Sequence, residues 1–268
     1  MTEQTEREPY ILSVDTTTDV RSVAVCAGAR VLAQTAVNLR SKQSANLLGD
    51  IDATLKEARL RLTEIELLAV AIGPGSFTGL RAGLATMKAF AATLDKPLAG
   101  VPTLHAVARA AGRASHVVAA LPAGRGELFA QLLACAADGT ITELCEPAHL
   151  PPHLLVERAL DWPLPLRWTG HGAQARAELI GEAAERADIE WRVEPEPGDA
   201  ELHRAERNGV EPAGARVWTL TQTSGAYATE VAALAWRQYQ AGGTLQAEAL
   251  RALYVRLSDA ELNERCRV

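Results

Sequence analysis

Residues 67–88, LLAVAIGPGSFTGLRAGLATMK, constrain this chain more than any other stretch. Leu67 to Ile72 is an apolar run of strand length, and Gly73, Pro74, Gly75 and Gly79 punctuate the turn after it. Thr78 stands where a capping side chain would open the next helix. A strand, a glycine-rich turn and a helix in that order predict an α/β layer. They also gather backbone N–H groups at a helix start, where an anion can sit. The familiar phosphate motifs do not fit. No Gly-Lys-Ser/Thr closes the loop, and Gly73, Gly75 and Gly79 give GxGxxxG rather than GxGxxG. Pro74 displaces the first glycine of a GxSxG elbow around Ser76. Close packing of strand on helix explains the glycines equally well.

The flanking sequence supplies a sheet. Residues 10–14, 22–26 and 30–37 read as a three-stranded meander, with Gly28 in the second turn. A helix over residues 44–59 carries Leu47, Leu48, Ile51, Leu55 and Ala58 on one face, and residues 98–101 form a further strand. This βββαβα order predicts a mixed sheet covered by helices. Residues 117–121, 127–135 and 140–144 begin the meander again: SVDTTTDVRSVAV has its counterpart in AALPAGRGELFAQ, and Asp15 faces Pro122. Residues 151–159 and 174–186 read as helices, and residues 192–224 as a polar excursion. A final helix spans 227–240, closed by Gly242 and Gly243, and residues 252–256 add a last strand before a charged tail.

A chain of 268 residues has room for one large domain or two lobes, and 48% hydrophobic with 22% charged residues describes a globular protein. No apolar run reaches membrane-spanning length, and the opening MTEQTEREP is unlike a signal peptide. Cys26, Cys135, Cys145 and Cys266 lack CxxC spacing, so reduced thiols and a cytoplasmic location are expected. The formal net charge is −6 and arginines alternate with acids, as at Arg204, Glu206, Arg207 and Glu211. Autonomous nucleic-acid binding, which needs a basic patch, is not expected.

Two places could carry chemistry. Asp15 at a strand end, followed by Thr16, Thr17 and Thr18, resembles the first phosphate loop of the actin–sugar kinase–Hsp70 superfamily. There an Asp from each of two duplicated lobes serves Mg–ATP. Pro122 offers no second carboxylate, and threonine replaces the glycine common in such loops. His149 and His153 form HxxxH in HLPPH, but Pro151 and Pro152 oppose a shared helical face. His105, His116, His171 and His203 are scattered, and no nucleophile–base set emerges. The helix predicted over residues 78–94 is more informative. Leu80, Leu84, Met87 and Leu94 form an apolar stripe, while Ala82, Ala85, Ala89 and Ala92, beside Gly83, Thr86 and Thr93, form a small-residue face. That face suits a neighbouring helix of the same chain or of another.

DTTTDVRSVAV, AIGPGSFTGLRAGLATMKAFA, the VPTL at 101–104, GRGELF at 124–129 and the tail ALYVRLSDAEL together resemble the TsaB (YeaZ) family. The resemblance implies an α/β fold of two actin-like, ribonuclease H-like (ASKHA) lobes, each a mixed sheet with helices. Residues 1–104 plus about 226–268 would form the first, carrying the dimerisation helices, and 105–225 a smaller, degenerate second. It implies a non-catalytic subunit, with no catalytic residue, metal ligand or cofactor. The partner would be TsaD, which transfers a threonylcarbamoyl group to N6 of the adenosine beside the tRNA anticodon. TsaE, an ATPase, joins them. tRNA would be met only through the complex, no membrane is involved, and a homodimer is possible for the isolated chain. The interface would use Leu47, Ile51, Ala82, Ala85, Thr86, Ala89 and Ala92. Asp15, Thr16, Thr17, Gly73, Gly75 and Ser76 would be a vestigial phosphate loop. The chain departs from the family at Gln43, where many members have His, and at PAGRGE, often DARMGE. The alternative is a self-contained peptidase, after an older family label, or a small-molecule phosphotransferase. Either needs a competent nucleophile or a two-sided Mg–ATP site.

Overall fold

Strand β1 (Tyr10–Asp15) lies antiparallel to β2 (Val20–Ala27), which pairs in turn with β3 (Arg30–Asn38). The computed structural model describes residues 8–39, 46–195, 214–244 and 246–255. Helix α1 (Leu47–Glu57) opens at Asn46, whose Oδ1 accepts the Gly49 N–H at 2.7 Å. Strand β4 (Leu67–Ala71), helix α2 (Phe77–Leu94), strand β5 (Leu98–Val101) and helix α3 (Thr103–Ala110) come next. The sheet order is β3-β2-β1-β4-β5, with β4 parallel to both β1 and β5. Every residue of β4 is buried, as a central parallel strand covered on both faces requires.

A second sheet begins as the first does. Strands β6 (Ala114–Pro122), β7 (Leu128–Cys135) and β8 (Ile141–Glu143) form an antiparallel meander, and β9 (Ala148–Leu150) pairs with β7. After α4 (Pro152–Ala159), strand β10 (Leu166–Thr169) runs parallel to β6. Two short helices, α5 (His171–Gln174) and α6 (Ala177–Arg186), precede β11 (Glu190–Glu194) and β12 (Val217–Thr221). The order β11-β12-β10-β6-β7-β8 repeats the first sheet with one added edge strand. Asp15 closes β1 and Pro122 closes β6, the correspondence drawn from the sequence. Both sheets are mixed and carry packed helices, the α/β class expected from the sequence.

Helix α7 (Ala228–Gln240) returns to the first sheet. The first unit takes the chain up to Ile72, Ser76–Ala106 and Ser224–Ala252; the second takes Gly73–Gly75, Val107–Thr223 and the chain from Leu253. In the first unit, strand alternation sorts the two sheet faces. Leu12, Val14, Val23, Val25, Leu68 and Val70 share a core with α1 and α2. The opposite face meets α7: Ser13 Oγ donates to the Ala228 carbonyl at 2.7 Å, and the Ala228 N–H donates to Ser22 Oγ at 3.0 Å. In the second unit, α4, α5 and α6 cover a core built around Trp168 and Trp218, whose rings meet edge-on at 5.2 Å.

Several sequence expectations need correction. Val217–Thr221 is a fully buried strand and Glu190–Glu194 an edge strand, so both ends of the supposed excursion at 192–224 belong to the sheet. Residues 196–213, with His203, lie outside the described residues. Strand β10 and helix α3 were not expected: four and eight residues are too short for a periodic pattern to stand out. The single helix over 174–186 is broken between α5 and α6, and residues 252–255 form no strand. Arg256, the tail, Cys266, Gln43 and the expected helix start at Ser44 lie outside the described residues. Among the described residues no helix is long and apolar enough to cross a membrane.

Candidate functional site

Where β1 ends, the chain turns at Asp15, Thr16 and Thr17, all buried. Asp15 Oδ1 accepts the Thr17 N–H at 2.8 Å and the Thr17 hydroxyl at 2.6 Å. Thr103 Oγ1 adds a hydrogen bond to Thr17 Oγ1 at 3.2 Å. Asp15 Oδ2 is buried and has no hydrogen-bond partner among the described residues. Burial pushes the carboxyl up to about 6, against the two Thr17 bonds, which act to lower it. The carboxylate thus organises its own loop, while half of it stays desolvated.

Thr16 ties this turn to α2. Its hydroxyl donates to the Gly79 carbonyl at 2.7 Å, and the Ser76 N–H donates to the Thr17 carbonyl at 2.7 Å. A Cβ at Gly79 would run into the Thr16 carbonyl oxygen, and one at Gly83 into Thr16 Oγ1. Gly79 and Gly83, one helical turn apart, therefore form a notch on α2 that receives Thr16. Ser76, rather than the expected Thr78, is the N-cap: its Oγ accepts the Gly79 N–H at 3.3 Å, and Thr78 is exposed. Gly73 is buried at φ +107°, which favours glycine, and Gly75 completes the connection to Ser76. A protein carbonyl and a protein hydroxyl occupy the groups that an anion would need. The Gly79–Gly83 spacing was the signal in the sequence, but nothing there named Thr16 as its occupant.

The other side of α2 faces outward. Ala82, Ala85, Ala89 and Ala92 are exposed, and Thr86 is half-buried. Phe77 is 41% exposed, and the Arg81 guanidinium lies 3.8 Å from its ring centroid. On α1 the expectation fails in part. Ile51 is buried in the core beside Leu80 and Leu84 and presents no surface. Leu47 is half-buried, and the exposed apolar side chain is Leu48, at 57%.

The second unit has the corresponding close approach, with Gly170 and Gly172 under the backbone of Ala120 and Leu121 at the end of β6. Its turn offers Pro122 where the first unit has Asp15. His149 lies in β9 and not on α4, where His153 sits; the His149 Nε2 is 2.8 Å from Glu127 Oε2. No group of three or more metal-ligating side chains occurs among the described residues. Cys26 and Cys135 are buried and Cys145 is exposed. Burial first, then the Glu230 carboxylate, pushes the Cys26 thiol up to about 12, which makes it a poor nucleophile.

Comparison with known proteins places these features among relatives. A family model described as "TsaD: tRNA N6-adenosine threonylcarbamoyltransferase" matches residues 38–163. The tRNA threonylcarbamoyladenosine biosynthesis protein TsaB of Escherichia coli K12 is 35% identical over 122 residues, 44% of this chain and 52% of that protein. A tRNA N6-adenosine threonylcarbamoyltransferase of Streptococcus equi subsp. zooepidemicus is 32% identical over 151 residues, 50% of this chain and 41% of that protein. The chain spans about half the length of the curated relatives it matches. YeaZ from Pseudomonas aeruginosa superposes with a TM-score of 0.67 over 92% of this chain and 99% of its own, at 21% identity, which shows the shared fold.

Two outcomes are expected of the site. Gly83→Ala should destabilise by about 2 kcal/mol through overpacking, instead of gaining the usual helix propensity of up to about 1 kcal/mol. In a Thr16→Ala background, where the obstructing hydroxyl is gone, most of that cost should vanish; equal costs in urea unfolding of both backgrounds would refute the notch. For Asp15, a folded pKa of about 6 against 3.8 means a stabilising contribution that is full below pH 3.8 and lost as pH rises through 6. Asp15→Asn should therefore gain on the wild type from pH 4 to 7, by roughly 2–3 kcal/mol in all. A stability difference independent of pH would contradict this.

Proposed function

We propose that the chain is a TsaB/YeaZ-type protein and the non-catalytic partner subunit of an assembly that forms N6-threonylcarbamoyladenosine in tRNA, a reading supported by its similarity to curated TsaB proteins and by the YeaZ fold. It pairs with a TsaD-like transferase through the outward face of α2, and a TsaE-like ATPase joins the assembly in the cytoplasm. The observation that carries this reading is the division of labour on α2. Its inner side holds Thr16 in the Gly79–Gly83 notch, and its outer side exposes a row of alanines.

Small side chains let a partner helix approach closely and bury backbone and Cβ area with little loss of side-chain freedom. Phe77, two helical turns before Ala85 on α2, adds an exposed apolar anchor to this row, and Leu48 is an exposed apolar side chain on α1. The formal net charge of −6 supports a division in which the transferase supplies the cationic surface for tRNA. Alone, the same face is available to a second copy of the chain.

The test is association with the TsaD-like subunit of the same organism. Ala85→Arg places a long charged side chain in the middle of the exposed row, and should weaken pairing by about 100-fold or more through steric and desolvation cost. The melting temperature of the isolated chain should stay close to wild type, because Ala85 is exposed. Undiminished pairing of the variant would show that another surface is used. Unchanged tRNA modification when the chain is left out of a reconstituted reaction would sink the reading altogether.

A further inference from the structure

The geometry points to a latch that keeps the small-residue face of α2 clear: the Lys88 ammonium is tied back by the carbonyl of Leu250. This inference rests on the pairing role proposed for that face. Lys88 lies three residues after Ala85 and four before Ala92, so it borders both on the helix surface. Its side chain is long and flexible enough to lie across them. Instead, Lys88 Nζ donates to the Leu250 carbonyl at 3.2 Å, which draws it sideways off the face.

The carbonyl is itself held in place. The segment after α7 returns to the first unit, and Ala247 and Leu250 are buried in the core that includes Leu84, Met87 and Ala91. Leu250 seats in a slot made by a missing side chain: a Cβ at Gly100 would collide with Leu250 and Ile72. Further along the same flank, Arg81, four residues before Ala85, is likewise drawn away, onto the Phe77 ring. Long cations thus border the alanine row but do not cover it. Immobilising Lys88 during folding removes that cost from the binding step. Freed, it would have to be displaced and ordered each time a partner helix docked.

Two readouts on the full-length chain test the latch. Amine acetylation followed by mass spectrometry compares Lys88 with the exposed Lys56. Lys88 should react several-fold more slowly in the wild type and as fast as Lys56 in Leu250→Gly. Equal rates in the wild type overturn the latch whether or not any partner binds. In the second readout, Leu250→Gly should weaken affinity for the TsaD-like subunit by about tenfold, Lys88→Ala should bind nearly as wild type, and the double variant should regain most of the loss. A merely structural role for Leu250 gives no such rescue, so a double variant no tighter than Leu250→Gly overturns the proposal. If Leu250→Gly does not fold, Gly100→Val displaces the same leucine without deleting it and is combined with Lys88→Ala in the same way. A wild type that protects Lys88 yet does not bind the subunit refutes the pairing role and leaves the latch standing.

Discussion

Everything on the α2 side of the first sheet depends on the seat that Thr16 makes on two glycines of that helix. The seat joins the end of β1 to the first turns of α2 through the Thr16 hydroxyl and the Thr17 carbonyl. At the start of the helix the Thr17 carbonyl accepts the Ser76 N–H and Ser76 Oγ accepts the Gly79 N–H, so these donors are satisfied inside the chain. The helix is held firmly on one side, so its other side can serve as a surface. Leu250 and Lys88 give the second half of α2 a comparable hold.

The same construction occurs in the second unit, where Gly170 and Gly172 let the chain after β10 approach the end of β6. Strand order and glycine placement are thus repeated, but the chemistry is not. Asp15 has no acidic counterpart, because Pro122 closes β6. A buried carboxylate with one unpartnered oxygen disfavours its own ionisation, and Asp15 has a raised pKa accordingly. Its two bonds to Thr17 shape the loop that carries Thr16. The Asp15 carboxylate thus serves the local turn.

Much of the fold could be read in the sequence because its signals are local. The 67–72 run, the glycines after it and the short apolar runs of β1, β2 and β7 between turn residues give strands and helices of the right type in the right order. The duplication was legible from the alignment of Asp15 with Pro122. What escaped was too short. Strand β12, VWTLT, is five residues long and follows a stretch rich in Pro, Gly, Glu and Arg, so its short pattern did not stand out from its surroundings. At the site, the small-residue face of α2 was legible from helical spacing alone. The occupant of the notch was not, since Thr16 and Gly83 are far apart in sequence and meet only once β1 and α2 are packed. Ile51 was misplaced for a related reason: an apolar face on α1 does not say which of its leucines and isoleucines the core will claim.

Hydrogen–deuterium exchange of the wild-type chain alone, with Mg–ATP and with the TsaD-like subunit separates the two possible uses of this segment most directly. If α2 is a docking helix over a filled notch, the subunit slows exchange across residues 82–93, and Mg–ATP leaves residues 15–17 and 76–79 unchanged. Protection of residues 15–17 and 76–79 by Mg–ATP, with no effect of the subunit on α2, would contradict it.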